Sequence, residues 1–119
     1  MTNYKKLEAW TVSMETIKEI YDITKLYPKE EKYGLISQTN RAAVSIACNI
    51  AEGMGRNSIK DTIQFLHISR GSAYEVETLL SVAKVIKIVD EHTYNRLNNK
   101  LERNIQILNG LINYLEKKQ

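Results

Sequence analysis

The chain has few of the residues that punctuate or cross-link a fold: one cysteine, one proline and five glycines among 119 residues. A single cysteine excludes an internal disulfide, and so little proline and glycine leaves no linker or low-complexity tract. The longest uncharged, mainly apolar run, residues 42–51, is far shorter than the ~20 residues that span a bilayer. The first ten residues also lack the apolar segment of a signal peptide. We therefore expect one cytoplasmic domain over residues 1–119, without membrane insertion.

Apolar residues recur at spacings of three and four in four segments, and nowhere alternate with the two-residue period of a strand. The first stripe consists of Leu7, Trp10, Met14, Ile17, Tyr21 and Thr24, and is widened by Ile20 and Ile23. Pro28 should end this helix shortly after Leu26. The second helix should begin within residues 29–33 and run to about Ala51, ended by Gly53 and Gly55 because glycine tolerates the positive φ common at helix C-termini.

Two polar residues mark the starts of the remaining helices. Ser58, followed by Asp61, is typical of an N-terminal cap, and Asp90 should cap the last helix. Four long helices joined by short turns favour antiparallel neighbours. The sequence thus predicts an all-α fold, an antiparallel up-and-down four-helix bundle.

The segment from Tyr33 to Ile59 carries only three charges in an otherwise charge-rich chain. Its polar residues fall three or four apart and form a narrow ladder on one side of the helix: Gln38, Arg41, Ser45, Asn49 and Glu52. Small apolar residues occupy most of the remaining circumference, including Cys48, which we expect to be buried. An apolar surface this wide predicts contact on two sides, with the chain's own bundle and with a second copy.

Helix three contains Gly71, and glycine is about 1 kcal/mol less favourable than alanine inside a helix. We interpret this glycine as the mark of a close helix crossing. A hairpin turning near Gly55 would place Arg41 level with Arg70 and leave Glu75 about one turn away. We expect the polar ladder, Arg70 and Glu75 to form a structural or interface network, because a buried unpaired charge costs several kcal/mol. Direct contact with a ligand is the alternative.

The residues typical of catalytic or metal-binding bundles are missing from the sequence. Neither His67 nor His92 has a glutamate three residues before it, unlike the ligands of di-metal bundles. One cysteine provides no thiolate cluster, and no nucleophile motif surrounds the serines. We expect a protein that is not an enzyme and that uses no metal or cofactor.

Several short blocks together resemble a known family. They are Leu7-Glu8-Ala9-Trp10, Tyr27-Pro28-Lys29-Glu30-Glu31, RAAVSIACNIAEG at residues 41–53 and FLHISRGSAYE at residues 65–75. The chain resembles the bacterial four-helix-bundle proteins encoded by intervening sequences of 23S rRNA genes. The resemblance covers helices one to three by motif, and helix four by length and position. It implies a cytoplasmic homopentamer around a central channel, similar to the accessory variability determinant of diversity-generating retroelements, a relative that binds nucleic acid and its reverse transcriptase.

The net charge of +3 is smaller than that of a dedicated nucleic-acid-binding protein. In the predicted bundle, however, one end gathers five lysines and Arg96, diluted by four acids. The lysines are Lys25, Lys29, Lys32, Lys84 and Lys87, and the acids are Glu30, Glu31, Asp90 and Glu91. At the other end, Arg56 and Lys60 flank the start of helix three, where free amides can hold a phosphate. A ring of copies would repeat these charges, and phosphate contacts add up.

This reasoning predicts a non-catalytic, oligomeric accessory protein that binds RNA or DNA through these basic residues. The alternative is an oligomeric scaffold that docks a protein partner without affinity for nucleic acid. Nothing in the sequence distinguishes RNA from DNA.

Overall fold

A computed structural model describes residues 3–119 and contains four long helices. They are α1 (Glu8–Thr24), α2 (Ser37–Met54), α3 (Ile59–Val85) and α4 (Glu91–Glu116). No strand occurs within residues 3–119. Each helix packs against its neighbours in the sequence, and α1 also packs against α4. The predicted all-α four-helix bundle is confirmed.

Neighbouring helices run in opposite directions, as the hydrogen bonds between them show: as the residue number falls along one helix, the number of its bonding partner on the next helix rises. Between α2 and α3, Thr62 Oγ1 donates to the Gly53 carbonyl at 2.7 Å, and Ser72 Oγ donates to Ser45 Oγ at 2.9 Å. Ion pairs between α1 and α4 follow the same rule, since Glu8 meets Arg103 and Glu19 meets Lys100 and Arg96. This is the contact pattern of antiparallel neighbours.

The polar caps predicted from the sequence form as expected. Ser58 Oγ accepts a hydrogen bond from the Asp61 amide at 3.1 Å, and Asp90 Oδ1 accepts one from the Thr93 amide at 2.7 Å. The bond from the Thr93 amide stabilises the ionised carboxylate and lowers the pKa of Asp90. These bonds satisfy amides that would otherwise lack intrahelical partners.

The predicted bounds of α2 hold for its first helical turn and for the cap at Gly55, but the regular α-helix begins and ends a few residues later than predicted. Residues 29–36 are helical but irregular: a 3₁₀ turn covers Lys29–Glu31, and a wider π-type turn covers Lys32–Ile36. Gly34 lies outside helical φ and ψ, so the regular helix begins only at Ser37. At the other end α2 continues to Met54, and no glycine within residues 3–119 has a positive φ.

The close approach between helices occurs at Gly53, not at Gly71 as the sequence suggested. A Cβ on Gly53 would lie 2.8 Å from Phe65 Cβ and 3.1 Å from the Thr62 carbonyl oxygen. A Cβ on Gly71 would meet nothing within 4 Å, because this position is exposed on the surface of α3. The absence of a side chain is therefore needed where α2 meets α3.

The same substitution at these two glycines should have opposite effects on stability. Gly53→Ala should lower the free energy of unfolding by about 1–3 kcal/mol, because the methyl group forces α2 and α3 apart. Gly71→Ala should raise it by up to about 1 kcal/mol through helix propensity alone. Urea unfolding of both variants and the parent measures the difference. A loss of stability in Gly71→Ala would contradict the open surface at this position.

The α1 face that meets the core coincides only in part with the predicted apolar stripe, because it combines Ile20 and Thr24 with residues outside that stripe. Its buried residues are Ala9, Val12, Ser13, Thr16, Ile20 and Thr24. Small polar residues fit there because their hydroxyls donate to carbonyls of the same helix, as Thr16 Oγ1 does to Val12 at 3.0 Å. Met14 and Tyr21, which belong to the predicted stripe, are 43% and 38% exposed. Part of the apolar surface of α1 is thus left facing outward.

Candidate nucleic-acid interface

Three of the predicted lysines surround a groove at the end of the bundle where α1 ends and α2 begins. The groove has a volume of about 370 Å³ and is lined by Tyr21, Thr24, Lys25, Tyr27, Lys29, Lys32, Ile36 and Asn40. Lys29 and Lys32 lie in the irregular turns of residues 29–36, which join α1 to α2. The structure therefore brings together Lys25, Lys29 and Lys32, which are separated by up to seven positions in the sequence.

None of these lysines forms an ion pair with the described residues, although the pKa of Asp22 is lowered chiefly by its hydrogen bond from Lys18 and to a smaller extent by the charge of Lys25. Within residues 3–119, no carboxylate lies within 4.0 Å of the ammonium group of Lys25, Lys29 or Lys32. Lys32 Nζ lies 5.4 Å from the centre of the Tyr33 ring, whose side chain is itself exposed. All three lysines are exposed to solvent and available to an anion.

Two polar side chains, Asn40 and Tyr27, form part of the wall of the groove. Thr24 Oγ1 donates to Asn40 Oδ1 at 2.8 Å, and within residues 3–119 the Asn40 amide nitrogen has no hydrogen-bond acceptor. Tyr27 is 6% exposed and its hydroxyl has no hydrogen-bond partner among the described residues. Burial raises the pKa of Tyr27 to about 12, so the phenol stays protonated near neutral pH. The groove thus presents positive charge and the Asn40 amide, while the Tyr27 hydroxyl is buried in its wall.

Lys84 and Lys87 lie at the same end, where α3 turns into α4. Lys84 Nζ is 3.5 Å from a carboxylate oxygen of Glu91 and 4.5 Å from the centre of the Tyr94 ring, so its charge is partly satisfied within the chain. Lys87 has a φ of +68°, the one positive φ outside glycine in the described residues. Its amide donates to Lys84 and the Ile88 amide donates to Ala83, which is the hydrogen-bond pattern of a Schellman motif.

Glycine is the favoured residue at this left-handed position, so Lys87→Gly should stabilise the protein. We expect the free energy of unfolding to rise by about 1 kcal/mol, because a side chain is strained at positive φ. Lys87→Ala should show no comparable gain, since it removes the charge but keeps the strain. Urea unfolding of both variants tests this, and equal stability of Lys87→Gly and the parent would contradict the assigned backbone strain.

At the second predicted basic site, at the start of α3, nearby carboxylates compensate the positive charges more strongly. The Arg56 guanidinium lies 4.4 Å from the centre of the Phe65 ring and 3.8 Å from a Glu52 carboxylate oxygen. The Ser58 cap already uses the Asp61 amide, and the Asp61 carboxylate lies in the first turn. Lys60 is exposed. A phosphate at this helix start would meet two carboxylates as well as two cations.

Arg96, which the sequence placed near the basic end, belongs instead to a row of ion pairs between α1 and α4. It pairs with Glu19, which also binds Lys100 Nζ at 2.9 Å. Lys100 reaches Glu15 at 3.2 Å, and these carboxylates raise the pKa of the lysine, chiefly through the bond from Glu19. Sequence reasoning missed this row, although acids on α1 and bases on α4 recur at helical spacing.

The predicted polar network is divided between two surfaces. Gln38, Arg41, Ala42, Ser45 and Glu75 line a cleft of about 350 Å³ between α2 and α3. Asn49 Nδ2 donates to the Ser45 carbonyl and hydroxyl oxygens at 2.8 Å each. Within residues 3–119, Arg41 makes no ion pair. Arg70 lies on the other flank of α3, where it donates to Asn109 Oδ1 of α4 at 2.7 Å.

The sequence predicted which part of α3 lies level with Arg41 of α2, and this prediction was off by about one helical turn. Ser69 Oγ donates to the Ile46 carbonyl at 2.7 Å, so residue 69 lies level with residue 46, not with residue 41. Arg41 and Glu75 line the same cleft. The cause is the position of the turn, because α2 runs to Met54 and the connection is centred after Gly55, further along the chain than the sequence suggested.

A second groove, between α1 and α2, is apolar. Its lining residues are Tyr4, Trp10, Met14, Ile17, Val44, Ala47, Cys48 and Ala51, around a volume of about 320 Å³. Cys48 is exposed here, so the expectation of a buried thiol was wrong for the single chain. The opposite face of α2 is buried in the core through Ala43, Ile46 and Ile50. The α2 helix thus has apolar residues toward the core and toward this open groove.

Comparison with known proteins is consistent with this architecture. A family model described as 23S rRNA-intervening sequence protein matches residues 5–110. The chain belongs to this family. The structure of the chain is also similar to a crystal structure from Bacteroides thetaiotaomicron VPI-5482, that of a protein of unknown function from the S23 ribosomal protein family. The two share 25% identity over 87% of this chain and 97% of the other, with a TM-score of 0.81. A search of curated proteins found no match.

The described residues contain neither a candidate metal cluster nor a membrane-spanning helix. Among residues 3–119, no three histidine, cysteine, aspartate or glutamate side chains are placed to share a metal ion. No described helix combines the length and apolar character needed to cross a bilayer.

Proposed function

We propose that this protein is a non-catalytic, oligomeric accessory protein that binds nucleic acid through the basic groove defined by Lys25, Lys29 and Lys32. The observation that carries the proposal is the convergence of three lysines without ion pairs on one recess. Phosphate contacts by lysine give affinity without sequence specificity. Lys84 and Lys87 extend the positive surface at the same end, while the more compensated Arg56 and Lys60 are secondary candidates.

The oligomer is proposed to form through the apolar groove between α1 and α2. Apolar surface that remains open in a monomer is typical of an interaction site, and no charged residue lines this groove. The resemblance described above implies a homopentamer, which would present five basic grooves and multiply their weak individual affinities. A cytoplasmic location fits a family named for an rRNA gene. The similarity to the retroelement accessory protein remains a prediction.

The apolar groove also favours a second candidate function, that of a scaffold whose ring docks a protein partner without binding nucleic acid. Titration of labelled RNA and duplex DNA at 50 and 200 mM salt separates the two functions. Binding that weakens steeply with salt supports the accessory role, since released counterions dominate such affinities. No binding at 50 mM salt would overturn the proposed function and leave the scaffold.

A further inference from the structure

We infer that the basic groove receives an unpaired nucleotide of a single-stranded nucleic acid, with the base against Tyr21 and the phosphates on the surrounding lysines. This inference rests on the proposed nucleic-acid binding and adds the form of the ligand. Three features support it: the recessed form of the groove, the exposed ring of Tyr21, and the contrast with an acidic groove between α3 and α4 that also contains a tyrosine.

The shape of the site favours a ligand that enters it. A duplex presents its phosphates on a convex surface, and a flat basic face would be enough to hold them. Here the lysines instead surround a recess of about 370 Å³, which falls within the range of pockets that take small molecules. The wall between the lysines includes Tyr27 and Ile36, side chains that offer no contact to a phosphate. The base of an unpaired, unstacked nucleotide can pack against such a wall.

Tyr21 supplies the aromatic surface. It lies one turn before Lys25 on α1, is 38% exposed and belongs to neither buried cluster of the core. Proteins that bind single strands place bases against aromatic rings and phosphates against basic side chains, with little preference for sequence. The free amide group of Asn40 adds a donor for a base edge or a phosphate oxygen.

A groove of about 270 Å³ between α3 and α4 provides a contrast, because it also contains a tyrosine but has acidic residues in place of lysines. Tyr74, Glu77, Glu102, Ile105 and Gln106 line it between α3 and α4. Burial and the nearby charge of Glu102 raise the pKa of Glu77, which places two carboxyl groups close together at this site. A phosphate would be repelled there. Of these two tyrosine grooves, the basic one alone complements a nucleotide.

The test compares a fluorescent 12-nucleotide single strand with the same sequence as a duplex, by anisotropy at 100 mM salt. The parent protein should bind the single strand more tightly. Tyr21→Ala should weaken single-strand binding about tenfold or more and change duplex binding little. Tyr21→Phe should retain the parent affinity, because it keeps the ring. Tyr74→Ala is the matched control, a similarly exposed tyrosine in the acidic groove, and should bind both ligands as the parent does.

Each adverse result has a distinct meaning. If neither ligand binds even at 50 mM salt, both the proposed function and this inference fail. If both bind but Tyr21→Ala matches the parent, or single strand and duplex bind equally, nucleic-acid binding stands and the nucleotide site is overturned. Binding of free adenosine monophosphate as tightly as the strand, tested by competition, would assign the groove to a small ligand and also overturn it.

Discussion

Replacing Lys25, Lys29 and Lys32 together by glutamine should reduce the affinity for single-stranded nucleic acid by about 100-fold or more at 50 mM salt. Each lysine that contacts a phosphate contributes about one to the slope of log affinity against log salt concentration. The slope should therefore become shallower by about three for each groove that the ligand occupies. The lysines are exposed and make no ion pair within residues 3–119, so the fold should be unaffected.

The control for this triple variant removes the same charge from the other end of the bundle. Lys60, Lys117 and Lys118 are exposed there, and their replacement by glutamine should weaken binding much less. Anisotropy titrations at several salt concentrations compare the variants, and circular dichroism checks their helix content. A larger loss in the control than in the groove variant would move the interface to the start of α3 and refute the groove as the main site.

The second large effect concerns assembly: Cys48→Glu should convert the oligomer to monomers. Cys48 is exposed in the apolar groove, so a carboxylate there is tolerated in the single chain. Buried between two copies, the same charge would lack a partner and cost several kcal/mol. Ala47 is a poorer test, because it is 5% exposed and its substitution would disturb the bundle itself.

Light scattering at matched concentrations measures the change, and Met14→Glu should act in the same direction from the α1 side of the groove. Asn95→Glu, which adds a charge to an exposed position of α4, is the control and should leave the assembly intact. If the parent protein is already monomeric at tens of micromolar, the proposed interface is wrong. If Cys48→Glu remains oligomeric, copies meet through another surface.

The helix count and polar caps were predictable because they depend on local rules. Ser58 and Asp90 act within one turn of their own positions, so the sequence alone identifies them. The buried face of α1 was predictable only in part from apolar spacing, since Thr16 and other hydroxyl residues also face the core by bonding their own helix. The interpretation of Gly71 as a helix crossing was wrong for a related reason. Helix propensity gives the free-energy cost of a glycine inside a helix, but it does not say why the glycine is there.

The candidate site was predictable only in part. Its lysines could be assigned to one end of the bundle by counting residues along helices. Their convergence on one recess depends on the irregular turns around Gly34, whose geometry no periodicity describes. The α3 residues that lie level with Arg41 likewise depend on where the α2–α3 turn falls. A shift of a few residues in the turn changes which residues face each other between α2 and α3.

The position of Cys48 has a practical consequence for the assembly of the natural sequence. It is the sole thiol of the chain, and it lies on the open side of α2. A thiol-specific reagent such as a maleimide would therefore modify free chains quickly and assembled chains slowly. Labelling rate against protein concentration would then report how tightly the copies associate, without any mutation.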